Sequence, residues 1–178
     1  EDGIRDNLRE REFRRVLFRS NPLDELDTFY AGAGRGGPLG GGMYWDLYGW
    51  YGGGDIALYL LGGGLRWYRP DLRQAALGVS FLYAGGDDSA ASYYTDYEGF
   101  KPVAGSAFGT AFAPKASNLA AAELSFSMKP WSRQKGSALE SLQTVLKATF
   151  FYKAADGAMS EGQVDSAAGA GYLGTELG

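Results

Sequence analysis

The chain has 178 residues, enough for one domain with a sizeable core. It has no cysteine and no histidine and a net charge of −4, which excludes disulfides, thiolate chemistry, the Ser-His-Asp triad and the usual zinc sites. Its 28 glycines are roughly twice ordinary usage, and 15% aromatic with 45% hydrophobic content points to β structure rather than a disordered tract.

Residues 1–20 carry six arginines against five acids. They read as helical or disordered. In "REREFRRVLFRS" only Phe13, Val16, Leu17 and Phe18 are apolar, a weak amphipathic stripe. Without this segment the chain is net −5, which does not favour a nucleic-acid partner. The composition changes after Ser20, so residues 21–178 are read as one separate domain.

Seven candidate strands follow, over 26–35, 43–53, 55–70, 73–86, 118–131, 141–155 and 171–178. Most alternate between apolar and polar or small residues, the period of a strand with two unlike faces. The clearest is "RQAALGVSFLYAGG", with Leu77, Val79, Phe81 and Tyr83 on one side and Gly78 and Ser80 on the other. Connections at 36–42, 69–72 and 132–140 are short. On the opposite rim lie 52–55 and two long polar segments, 86–117 and 156–170. No run of 18 apolar residues occurs, so no transmembrane helix is expected; a barrel crosses instead with strands of about 9–11 residues.

This layout predicts an all-β fold: an antiparallel transmembrane β-barrel of the bacterial outer membrane, present in part. Aromatic residues near strand ends, Trp45, Tyr51, Trp67, Tyr83, Trp131 and Tyr152, are the candidate membrane-interface girdle. Charges inside strands are candidate lumen residues: Arg35, Asp46, Arg66, Glu123, Lys147, Lys153 and Glu176. Glu123 and Lys147 could equally form a cross-strand ion pair. A soluble β-sandwich binding carbohydrate through aromatic faces also alternates, and a non-conducting surface barrel shares every feature above.

No catalytic group, metal ligand set or cofactor is expected. The acidic loop with Asp87, Asp88, Asp96 and Glu98 matches no calcium-loop spacing and reads as a solvated loop. "GRGGPLGGG" lacks the Gly-Lys-Ser/Thr ending of a phosphate cradle and reads as a turn. No pair among the carboxylates has the standing of a glycosidase pair. Trp45, Trp50 and Trp67 could stack on sugars, although a girdle role is the simpler reading.

Three segments carry a family resemblance: "ALGVSFLYAGGDDS", "SNLAAAELSFSMKP" and "GYLGTELG". In order and spacing they resemble the C-terminal half of the alginate export family of outer-membrane porins. The near-terminal motif falls on Tyr172, Leu173, Gly174, Glu176 and Leu177, with Gly178 where that family has aspartate. The resemblance implies a passive channel for an extracellular polysaccharide or related solute, with the lipid bilayer as partner and a basic lumen suited to an anionic polymer. Here the candidate lumen charges balance, with Arg35, Arg66, Lys147 and Lys153 against Asp27, Asp46, Glu123 and Glu176, which favours a general porin. The resemblance also implies further strands, so the chain is expected to be a fragment at both ends. Residues 1–20 resemble translated sequencing-adapter DNA and are expected to be foreign to the domain behind them.

Overall fold

The computed structural model describes residues 15–19, 27–54, 58–86, 112, 114, 116–157, 159 and 169–178. They form one open, antiparallel sheet of eight strands in chain order. The strands are β1 (Arg15–Arg19), β2 (Asp27–Gly40), β3 (Met43–Gly54), β4 (Leu58–Arg69), β5 (Ala75–Ala84), β6 (Leu119–Met128), β7 (Thr144–Lys153) and β8 (Gly171–Leu177). Among the described residues there is no helix long and apolar enough to cross a membrane. A single all-β sheet in which each strand pairs with its chain neighbours has the strand order of a partial up-and-down barrel.

The seven expected strands are all present, and β1 is an eighth. Arg15–Arg19 is extended and pairs with β2 from Arg15↔Ala31 to Arg19↔Asp27, so this stretch is not helical. Val16, Leu17 and Phe18 suit a strand, and the edge of β2 offers unpaired backbone groups. Any segment with β-compatible residues can occupy such an edge, so the pairing leaves the origin of 1–20 untouched.

The short connections differ in detail from the sequence reading. β2 runs on to Gly40 through "GGPLG", so the expected turn over 36–42 shrinks to Gly41 and Gly42. A register shift between Pro38 and Gly40 accommodates the proline, and Gly40, Gly41 and Gly42 all take positive φ. Residues 70–74 turn the chain between β4 and β5. Residues 129–143 do the same between β6 and β7, through successive tight turns closed by bonds such as Gln134 N–H to Trp131 O (2.9 Å). These three connections lie on one rim. The described parts of the long connections, at 112, 114, 116–118, 154–157 and 159, lie on the other.

Register fixes the two faces, because directly paired residues point the same way. One face carries Leu47, Leu61, Leu65, Leu77, Val79, Phe81, Leu124 and Leu146, all exposed. The opposite face carries most of the charges, Asp46, Arg66, Glu123, Lys147, Lys153 and Glu176, and most of the buried residues. Its buried cluster includes Tyr30, Leu60, Leu82, Leu119, Ala121 and Phe151, at the long-connection end. Ala116 and Met159 from those connections complete it. Among the described residues, the sheet therefore leaves its most apolar surface bare and covers part of its polar one, the inverse of a sheet packed on a soluble core.

Candidate functional site

The polar face is organised in rows across the strands. Asp46 pairs with Gly64, Gly64 with Ser80, Ser80 with Glu123, Glu123 with Thr149 and Thr149 with Glu176. Three carboxylates thus fall in one line spanning β3 to β8. One step toward the short turns runs a second line, from Tyr44 through Arg66, Gly78 and Ser125 to Lys147. A carboxylate row and a cation row lie side by side, about 6.7 Å apart along the strands.

Lys147 Nζ reaches Glu123 Oε1 at 3.5 Å and ties the two rows together, and Thr149 Oγ1 donates to Glu123 Oε2 at 3.5 Å. The pair forms diagonally, because Lys147 stands directly opposite Ser125. Between the rows lies a groove of about 300 Å³ lined by Arg66, Gly78, Ser80, Glu123, Ser125 and Lys147. Glu176 Oε2 accepts the backbone N–H of Phe112 (3.1 Å), so its row meets the long connection at β8.

Lys153 is on the same face but at its covered end. It is 2% exposed, and Nζ donates to the Asp156 carbonyl at 2.9 Å. Arg35 is a correction. It pairs with Leu47, whose next partner is Gly63 and then Phe81, so it lies on the apolar face, away from Asp46 and Arg66. The phase of β2 is set by Tyr30 and its pairing with Gly52, and Arg35, at odd spacing from Tyr30, falls on the other side. Near it on that face is a hollow of about 770 Å³ with Ala31, Ala33 and Gly49 among its lining residues, with aromatic walls from Phe29, Tyr51 and Tyr59.

The long connections are held over the polar face by Asn118, fully buried and in a left-handed conformation (φ 49°). Its Oδ1 accepts Ala155 N–H (2.7 Å), and its Nδ2 donates to Ala155 O (3.2 Å) and Gly157 O (2.9 Å). Its backbone bonds Gly85 and Ala154. Through its side chain and backbone together, this one residue stitches the ends of β5 and β7 to the start of β6. Phe112 packs edge-on against Phe151, with ring centroids 5.1 Å apart.

Of the expected interface aromatics, Trp45, Tyr51, Trp67, Tyr83 and Tyr152 all lie on the apolar face. Trp131 lies in the turn three residues beyond the end of β6. Phe29, Tyr59 and Tyr172, absent from the sequence expectation, extend the set. Phe29 meets Tyr51, Tyr59 stacks on Tyr83 and Tyr152 meets Tyr172, with centroids 6.4, 5.6 and 5.3 Å apart. These rings form a belt along the long-connection rim of the apolar face. Their alternation with small residues was the available signal. At the other rim Trp67 Nε1 donates to Gly41 O (3.1 Å), and the Arg69 guanidinium sits 5.2 Å from the Trp67 ring centre. Arg69 also holds Asp71 through two bonds of 2.9 and 2.6 Å, which lowers the Asp71 carboxyl below its ordinary range.

The loop residues Asp87, Asp88, Asp96 and Glu98 lie outside the described residues. Among the described residues no three His, Cys, Asp or Glu side chains are grouped to hold a metal ion. Trp50, unlike Trp45 and Trp67, is on the polar face, in register with Gly32 and Leu60.

The fold and these two faces define an antiparallel sheet with one exposed apolar surface and a charged opposite surface. No family model, curated protein or solved structure matches the chain.

Proposed function

We propose that this chain is part of the wall of an outer-membrane porin, which passes polysaccharide or small solutes by diffusion through a charged lumen. The observation that carries this reading is the contrast between the faces. The apolar face is exposed across β2 to β8, with aromatic rings at both rims. On β4 the two belts are marked by Tyr59 and Trp67. Eight residues of strand rise about 27 Å, or roughly 20 Å once tilted, close to the apolar band of such barrels at about 25 Å.

On this reading the polar face is the lumen wall, and its two charge rows act on permeating ions. Asp46, Glu123 and Glu176 face Arg66, Lys147 and the covered Lys153, so the wall is near balance, and its open rows carry one more acid than base. That favours a general solute or a weakly charged polymer over a strongly anionic one. Polysaccharide as cargo rests on the resemblance of the segments ending in "GGDDS", "SMKP" and "GTELG" to the alginate export porins.

Covering of the polar face by residues 112, 114 and 116–118 favours a second reading, a barrel whose long connections occlude it and serve at the surface. Planar-bilayer recording of the protein separates the two. Discrete conductance steps support the porin. Their absence from a protein that inserts and folds would support the occluded barrel. Monodisperse behaviour without detergent would overturn both.

A further inference from the structure

Asp46, Tyr48 and Trp50 follow one another at every second residue on the polar face of β3. Glycines flank this row on both sides: Gly36, Gly34 and Gly32 on β2, and Gly64 and Gly62 on β4. The two rings use that space. A Cβ on Gly32 would fall onto the indole of Trp50, meeting Cδ2, Cε3 and Cε2 together, so the ring lies flat over Gly32. A Cβ on Gly62 would meet the Tyr48 phenol at Cζ and Oη, each 2.5 Å away. Each ring thus has one side on a glycine floor of a neighbouring strand, and both are only half-buried. Both rings also pack against the buried cluster at the long-connection end of this face, which helps to hold them in place.

We infer that Tyr48 and Trp50 form a stacking track for pyranose rings, so that the ligand class is a linear oligosaccharide. The apolar C–H face of a pyranose is weakly positive and suits the negative face of an aromatic ring. Hydroxyl groups at its rim need donors and acceptors, and Asp46 is next along the strand with Arg66 one row further. The two residues stand about 6.7 Å apart along β3, and their rings lean to opposite sides, over β2 and β4, so a linear chain crossing β3 obliquely can engage both through sugars that are not adjacent. Near-balanced charge beside the track imposes no requirement for an anionic sugar. The inference rests on the porin reading only in taking the polar face to be wet.

The test is calorimetric titration of the full chain, folded in detergent, with a linear glucose hexamer and separately with a linear uronic acid hexamer. The glucose hexamer is expected to bind saturably and at least as tightly as the uronic acid hexamer. Trp50→Leu and Tyr48→Leu should each weaken binding by about tenfold, the scale of one aromatic stacking contact. Trp50→Phe and Tyr48→Phe keep a ring on the glycine floor and should retain most of the affinity. Leu77→Ala, on the opposite face, should leave binding unchanged, and circular dichroism verifies that each variant is folded. Absence of saturable binding in the unaltered protein would overturn the track. So would binding that survives both leucine substitutions, or binding of the uronic acid hexamer alone that depends on Arg66 and Lys147. Conductance without sugar binding would sink the track and spare the porin, and sugar binding without conductance would do the reverse.

Discussion

The two faces of this sheet are built from the same strands and obey opposite rules. On the apolar face Leu77 and Leu146 are 53% and 59% exposed, and nothing among the described residues covers them. On the polar face Leu119 and Asn118 are fully buried beneath the long connections, while the charge rows toward the short turns stay open. The difference teaches where each face finds its free energy. The polar face is stabilised by specific bonds and a small buried cluster. The apolar face has its ring contacts and the Trp67 bond to Gly41, and would gain most from an apolar solvent.

The largest expected effect is at Asn118, the joint that makes the covered end possible. Asn118→Ala removes three side-chain hydrogen bonds and forces alanine into a left-handed conformation. A loss of about 4 kcal/mol is expected, read by denaturant unfolding in detergent. Gly86→Ala should act on the same joint, because its Cβ would collide with the Asn118 carboxamide. A neutral result for both would mean that the polar face is not held by this connection.

A new charge separates the faces more directly. Ala122 is exposed, beside Phe81 and Phe150 at mid-height of the apolar face. Ala122→Arg creates no cavity, so its cost reports the surroundings alone. In lipid vesicles it should destabilise folding by about 3 kcal/mol, whereas Ser125→Arg on the polar face should cost about half a kcal/mol or less. Equal costs would erase the distinction between the faces.

Arg35 makes the converse test. It already occupies mid-height of the apolar face, in the row of Leu47 and Phe81. If lipid surrounds it, Arg35→Leu should stabilise the folded state in vesicles by about 2 kcal/mol. Destabilisation would instead mark the β2 portion of this face as covered by protein.

Arg35 also shows where sequence reading gave out. Alternation located β4 to β7 to within a few residues, because "ALGVSFLY" and "LAAAELSFSM" contrast large with small or polar side chains at every step. "AGAGRGGPLG" has no such contrast; the spacing puts Arg35 with Asp27 and opposite Tyr30, but which of those faces continues the polar face was assigned by charge alone. The charge rows were legible as members but not as rows. Which carboxylate faces which cation depends on register, set by the Gly41–Gly42 turn, the irregularity at Pro38–Gly40 and the long connections. Asn118 was visible only as the entry to a strand; its partners Ala155 and Gly157 are remote in sequence. β1 was hidden because its arginines outweighed Val16, Leu17 and Phe18.

Within the polar face, the Glu123–Lys147 pair is expected to be worth little to stability. The lysine is 47% exposed and the contact is long, so Lys147→Met should cost about half a kcal/mol. Its clearer readout is selectivity. Removing the cation leaves Asp46, Glu123 and Glu176 in one row, and the reversal potential under a salt gradient should shift toward cations. An unchanged potential would mean that the rows do not border the conducting path.

The smallest effect is at the turn rim, where Asp71 holds Arg69 and Arg69 covers Trp67. The hydrogen bonds from Arg69 lower the Asp71 carboxyl in the folded state. A depressed carboxyl contributes stability above its unfolded value, and that contribution is lost as pH falls through the folded value. Asp71→Asn should therefore be slightly less stable than the parent at neutral pH and indistinguishable from it once the parent's carboxyl is protonated. Because the pair is fully exposed, salt should shrink the difference as well. A difference that persisted in strong acid would assign the role of Asp71 to turn geometry rather than to charge, and the aromatic belt at this rim would then owe its anchoring to the bond between Trp67 and Gly41.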